Sequence, residues 1–186
     1  MSRSMRVGVR DFYIAKASEG ENKKITFDTP RAVGGTASVG VTENRGENKV
    51  YESDVLIRDR KRLSGATISY HSRTVALADE IAMIYGTTAE QDGSFDVGVD
   101  EEPPVYAVGW ASPLSDGTWR CVWYYYCTAA KTDENHETAT ENESTPEDTY
   151  EFSAVPRPDT RKLKRMKICK DETERDAFLA AVEATA

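Results

Sequence analysis

The stretch Thr118-Trp-Arg-Cys-Val-Trp-Tyr-Tyr-Tyr-Cys-Thr128 decides the fold of this chain. With Val105-Tyr-Ala-Val-Gly-Trp-Ala111 before it and the turn Pro113-Leu-Ser-Asp-Gly117 between them, it reads as a β-hairpin. At the two-residue period of a strand, Cys121, Trp123, Tyr125 and Cys127 fall on one face, and Val122, Tyr124 and Tyr126 on the other. Both faces are apolar or aromatic. A strand covered on one side only alternates with charges, so this hairpin is expected between two layers of structure, its tyrosine hydroxyls reaching polar partners at the edges.

Working outward, residues 7–16 alternate as a strand with Phe12 and Ile14 on one face and Val9, Asp11 and Tyr13 on the other; a turn at 19–22 leads to a short strand at 24–27. Gly34 and Gly35 open an extended run in which Ala37, Val39 and Val41 share a face. Residues 43–62 lose this pattern and read as a long, mixed-charge excursion: either a solvated loop or an arm that orders against a neighbour. Residues 63–71 form a strand with Ala66, Ile68 and Tyr70 on one side and the small or polar Gly65, Thr67, Ser69 and His71 on the other. A helix follows, with Val75, Ala78, Ile81, Ala82 and Tyr85 at helical spacing and Gly86 as its stop; its stripe is expected to cover a face of the hairpin.

Beyond the hairpin, 131–148 is rich in Asp, Glu, Asn and Thr, has no large apolar residue, and reads as a long exposed acidic loop. Tyr150, Phe152 and Ala154 alternate as a strand, 161–168 reads as a basic edge strand, and Asp171-Glu-Thr-Glu174 opens a helix with Phe178, Ala181 and Val182 on one side. The fold class is therefore β-rich (α+β), with a central and a C-terminal helix, and 186 residues suit one domain.

The formal net charge of -8 argues against a protein that grips nucleic-acid backbone over a wide surface. No stretch is long and apolar enough to cross a bilayer, and the first ten residues lack the apolar run of a signal peptide, so synthesis and assembly are expected inside the cell that makes the chain. Cys121, Cys127 and Cys169 show no short metal-ligand spacing and read as buried reduced thiols. His71 and His136 are the only histidines; no nucleophile elbow or phosphate-binding glycine loop is present, and neither enzymatic activity nor a cofactor is expected.

In order and character the segments resemble the major tail protein family of tailed bacteriophages, the tail tube proteins of the phi13 type. The likeness is carried by Val9-Arg-Asp-Phe-Tyr-Ile-Ala15, Lys49-Val-Tyr51 with Asp54, the strand and helix of 63–86, Tyr106-Ala-Val-Gly-Trp110, Asp116-Gly-Thr-Trp-Arg-Cys-Val-Trp-Tyr-Tyr125 and the acidic loop before Tyr150-Glu-Phe152. It spans roughly 7–182; the segment 161–170 is more basic than the family pattern.

The resemblance implies a β-sandwich or barrel-like tail tube fold with flanking helix, whose subunits close into hexameric rings that stack into a hollow tube for viral DNA. It also implies tape measure, tail-terminator and baseplate proteins as partners, the host cytoplasm as the place of assembly and the virion tail as destination. On this basis Gly65, Thr67, Ser69 and His71 are assigned to the lumen. The excursion 43–62 is the candidate stacking arm, with Val50, Tyr51, Asp54, Val55, Leu56, Ile57, Arg58 and Arg60 as inter-ring or inter-subunit contacts. Acidic surfaces on one ring and the basic 157–170 on the next are expected to complement each other head to tail. The alternatives are the tube of a contractile injection system or tailocin-like particle and, in a different class, a β-sandwich that presents its aromatic hairpin to a carbohydrate or peptide.

Overall fold

The computed structural model describes residues 4–52, 55–73, 82, 84–100, 102–133 and 147–183. Its strands are β1 (Arg10–Glu19), β2 (Ile25–Phe27), β3 (Arg31–Val33), β4 (Thr36–Glu52), β5 (Val55–Ser72), β6 (Val105–Pro113), β7 (Trp119–Asp133), β8 (Asp148–Ala154) and β9 (Lys164–Cys169), and a helix spans Glu172–Leu179. All strand pairs are antiparallel, in the order β2-β1-β6-β7-β8-β5-β4, with β3 added to β1 and β9 to β7. The chain is thus β-rich with a C-terminal helix.

The aromatic hairpin is β6–β7, buried on both faces. Its tight turn is held by Asp116, whose carboxylate accepts from the Thr118 backbone N–H at 3.1 Å and hydroxyl at 2.7 Å, while Gly117 takes the left-handed φ of 82°. Val108, Trp110, Val122 and Tyr124 enter one core; Ala107, Ala111, Cys121, Trp123 and Tyr125 enter a second. The expected alternation fails at one point. Val108 pairs with Tyr124 but Tyr106 with Cys127, so β7 carries an extra residue there. This bulge flips the faces, placing Cys127 and Ala129 in the core of Val122 and Tyr124, opposite Cys121.

Two strands share one edge of β7. On one edge it pairs with β6 throughout; on the other, residues 119–124 pair with β9 and residues 127–133 with β8. Across the gap Tyr125 donates to the Leu163 carbonyl and Val155 to the Tyr126 carbonyl. The sheet through β8, β5 and β4 curls back over β1 and β6, so that Phe12, Ile68, Tyr70, Trp110, Tyr124, Tyr150 and Phe152 share one core. This is a sandwich made by folding one strand system over on itself.

The second core is closed by the C-terminal helix. Asp171 caps it by accepting from the Glu174 N–H at 2.8 Å, and Glu174 accepts in turn from the Lys170 N–H at 3.2 Å. Phe178 and Leu179 face the sheet, with Val182 just beyond the helix end. The Trp123 indole, fully buried, donates to the Phe178 carbonyl at 3.0 Å. Ala107, Gly109 and Ala111 are small because these rings lie on them: a Cβ at Gly109 would meet the Trp123 ring at 2.5 Å.

The central helix was expected to cover the hairpin. Among the described residues Ala82, Ile84 and Tyr85 are helical, Gly86 has φ +81°, and the Thr87 N–H bonds the Ala82 carbonyl at 2.9 Å, a Schellman-type stop as expected. Val75, Ala78 and Ile81 lie outside the described residues. Ala82 and Ile84 are buried, Ile84 in the core beside Tyr70 and Tyr150, while the second face of the hairpin belongs to the C-terminal helix.

Two loop expectations need correction. Residues 43–52 and 55–62 are strand: β4 and β5 pair from Thr36↔Ser72 to Glu52↔Val55, with register shifts at three points. Likewise β7 runs to Asp133 and β8 starts at Asp148, so both ends of 131–148 are strand. Apolar periodicity could not reveal either extension. The ladders are held by backbone hydrogen bonds, which ask nothing of the side-chain pattern.

Candidate functional site

Register places a particular set of side chains on the outer face of β4-β5-β8-β7. Thr42 pairs with Thr67, Thr67 with Ser153 and Ser153 with Thr128. The next row is Gly40, Ser69 and Glu151; the third is Ser38, His71 and Thr149. Directly paired residues share a face, so these rows form one field of small hydroxyl-bearing side chains. Its reverse side carries Ala66, Ile68, Tyr70, Tyr150 and Phe152, all in the core.

The four residues assigned from sequence to a channel wall fall on this polar field. Thr67, Ser69 and His71 are half-buried, and the His71 Nδ1 lies 3.2 Å from the Thr149 hydroxyl. Gly65 is buried at the margin, where a Cβ would meet the Ala154 carbonyl oxygen at 2.7 Å; only glycine lets β8 approach there. Sequence reasoning missed Ser38, Thr42, Thr149, Glu151, Ser153 and Thr128. Their signal was present as alternation within each strand, but which strands lie side by side is set by long-range pairing. Ala130 continues the second row opposite Glu151 and Asp133 the third opposite Thr149, so Glu151 and Asp133 are the carboxylates of the field, and none of these residues is Lys or Arg.

The second feature is the distal half of the β4–β5 hairpin. β8 pairs with β5 only from Ala66 to Ser72, so from Arg45↔Leu63 outward the hairpin is a two-stranded ribbon. From residue 45 to residue 52 it extends about 23 Å at ~3.3 Å per residue. Among the sequence-assigned contacts, Val50 pairs with Arg58, Tyr51 with Leu56, Glu52 with Val55 and Asn48 with Arg60; Ile57 is the extra residue of the register shift. Asp54 lies outside the described residues. The pairing brings these residues to one end of one ribbon.

The ribbon's base is fastened to the rest of the chain. Glu43, on the core side of β4, forms an ion pair with Lys164 of β9, and Arg45 contacts the same carboxylate group at 3.1 Å. The hydrogen bond from Lys164 is the main reason the Glu43 carboxyl sits below its usual range. Burial opposes the charge on Lys164, but bonds to Glu43 and the Tyr124 hydroxyl raise its pKa. These groups line a cleft of about 200 Å³ with Val41, Trp110 and Met166. In a structural role, the pair fixes where β4 crosses β9.

A third feature was read from sequence only as a basic edge strand. Next to β9 lies a cleft of about 510 Å³ lined by Tyr125, Arg157, Lys162, Lys164, Arg165 and Glu183. Arg157 is 3% exposed and lies over the adjoining rings of Phe27 and Tyr125, 5.1 and 5.3 Å from their centroids. Its guanidinium donates to both Asp159 oxygens at 2.9 and 2.6 Å, to the Ile25 carbonyl at 3.1 Å and to Glu183. Asp159 is held far below the usual carboxylate range, chiefly by this bidentate bond.

The cysteines are free thiols enclosed in the cores, and burial pushes Cys121 up to about 12 and Cys127 higher still. Among the described residues no group of three His, Cys, Asp or Glu side chains could hold a metal ion; His136 lies outside them. Trp119, Trp123, Tyr124 and Tyr125 of the hairpin are buried, and Tyr126 is half-buried. No helix among the described residues is long and apolar enough to cross a membrane. No protein-family model matches this chain, and no curated protein matches it.

Proposed function

We propose that this chain is a structural subunit that polymerises into a hollow tube, as the resemblance to tailed-phage tail tube proteins implies, with the polar field of β4, β5 and β8 lining the channel. The observation that carries the reading is the two-sided character of β5. Ala66, Ile68 and Tyr70 are in the core, while Thr67, Ser69 and His71 join a face of hydroxyls with the carboxylates of Glu151 and Asp133 and no Lys or Arg in its rows.

Such a surface suits the passage of DNA. Lys and Arg arrays hold phosphates by releasing counterions, and a wall of hydroxyls and carboxylates gives no such attraction. On this reading the assembled subunits form rings of six. β4, which pairs with β5 alone, offers its second edge to a neighbour within the ring, which would remove an exposed strand edge. The ribbon from residue 45 to residue 62 is the arm that bridges copies. Tape measure, terminator and baseplate proteins are then the partners at the ends, and the virion tail is the destination.

Electron microscopy of the purified full chain tests the proposal. Rings or tubes are expected, with arm-shortened protein remaining a folded, unassembled subunit. A monodisperse monomer at every concentration and salt would overturn it.

A further inference from the structure

The cleft beside β9 is over-supplied with positive charge. Of its lining cations, Arg157 is neutralised by Asp159 and Glu183, and Lys164 by Glu43. Lys162 and the adjoining Arg161 are exposed and meet no carboxylate among the described residues. Arg165 stacks 4.5 Å above the Phe178 ring and donates to the Val182 carbonyl, again without a carboxylate. In a chain of net charge -8 this is a local reversal of sign. One carboxylate already sits at its edge: Glu183, half-exposed, on Arg157.

We propose that this cleft receives the acidic 134–147 connection of a second copy of the chain, joining subunits head to tail. The inference rests on the self-assembly reading and names one of its contacts. The connection carries Glu134, Glu137, Glu141 and Glu143, besides Glu147, which pairs with Arg73 at 3.0 Å, and contains no Lys or Arg, so its charge complements Arg161, Lys162 and Arg165.

The cleft and the acidic connection occupy separate places on one molecule. The cleft lies at Tyr125, and β7 ends at Asp133, eight residues or about 26 Å further along at ~3.3 Å per residue. Two different complementary patches on one chain make a heterologous pair, the kind that propagates.

The test uses a fluorescein-labelled peptide of residues 131–148 titrated into the full chain. Saturable binding is expected, weakened about tenfold by R161E/K162E and by raising salt from about 0.05 to about 0.5 M. Both substituted side chains are exposed, and thermal melts of the variant check its fold. In a second arm, R161E/K162E and E137K/E141K/E143K each assemble poorly alone, and an equal mixture restores assembly, because each supplies the partner charge the other needs. Three results would overturn the inference: peptide binding unaffected by R161E/K162E, peptide binding only after a chain's own 134–146 is deleted, or displacement of the peptide by duplex DNA at equal charge. Wild-type tubes with charge variants that also form tubes would refute this contact and leave the tube reading intact. No tubes under any condition would refute that reading, while the peptide titration still decides the cleft.

Discussion

The ring of Phe12 stacks on the ring of Tyr70 at 4.1 Å with an interplanar angle of 17°, although their strands β1 and β5 are separated in the sheet by β6, β7 and β8. Residues so far apart in a flat sheet cannot touch. Their contact is what curls the strand system into a sandwich, and Tyr70 reinforces it by donating to the Gly34 carbonyl at 2.8 Å, near the start of β4. Phe12→Ala is expected to cost about 3–5 kcal/mol and Tyr70→Phe about 1 kcal/mol. Urea denaturation checks both, and equal costs would argue against the stacked contact as the closure point.

Arg157 predicts an acid-sensitive joint. The carboxyl of Asp159 is depressed by the guanidinium and, to a lesser extent, by the Ile25 and Thr160 N–H groups. A group whose folded pKa lies below its unfolded value stabilises the fold above the unfolded pKa and loses that contribution as pH falls. Thermal midpoints should therefore be level above about pH 5 and fall below about pH 4. In Asp159→Asn the fall should be shallower and the neutral-pH midpoint lower. Arg157→Met leaves Asp159 without its partner and should cost about 3–5 kcal/mol at pH 7.

Gly109→Ala places a methyl 2.5 Å from the Trp123 ring, and the ring is fully buried and bonded to the Phe178 carbonyl. The expected loss is about 1–3 kcal/mol with a red shift of the tryptophan emission as the helix loosens. Gly65→Ala instead meets a backbone carbonyl of β8, which cannot rotate away. Faster hydrogen exchange across Ala66↔Ala154 and Thr67↔Ser153 is the expected signature.

The three thiols give a simple readout of the cores. Cys121, Cys127 and Cys169 are each 0% exposed, and burial raises Cys121 to about 12. Ellman's reagent at pH 8 should leave them unmodified in the native chain and react with all of them in denaturant. Rapid native labelling of Cys127 would contradict its position beyond the bulge, on the face of Tyr124.

The register of the arm permits a clean truncation. Replacing residues 49–59 by Asn-Gly joins Asn48 to Arg60, which already pair, through a two-residue turn. The chain should keep its melting temperature within a few degrees, since β5 keeps its pairing with β8 from Ala66 to Ser72, and should lose tube formation. Normal tubes would sink the assignment of Val50, Tyr51, Val55, Leu56, Ile57 and Arg58 as contacts between copies.

Much of the subunit was legible in the residues themselves. Alternation in 63–71 separated Ala66, Ile68 and Tyr70 from Thr67, Ser69 and His71, Gly86 marked a helix stop, and the doubly apolar hairpin required a layer on each side. The C-terminal helix covers Trp123, and Ile84 of the central helix lies in the core that holds the hairpin's other face, with Val75, Ala78 and Ile81 outside the described residues. Periodicity also missed the ribbon of β4 and β5 and the three-residue β3, because exposed or very short strands leave no apolar signal.

What the sequence determines by itself is local: which residues turn their apolar side inward along each strand, where turns and caps fall, and an overall negative charge. The tertiary structure alone decided three things. The extra residue between Tyr124 and Cys127 reversed a face, and one edge of β7 is shared by β9 and β8. Long-range pairing aligned the hydroxyls of β4, β5 and β8 into one surface. The 157–161 turn carried Arg157 over Phe27 and Tyr125 and left Lys162 and Arg165 lining one cleft with Arg161 adjoining. The physical reason is common to all three: side-chain period is a property of neighbours in the chain, whereas register, bulges and clefts depend on which distant strands exchange hydrogen bonds.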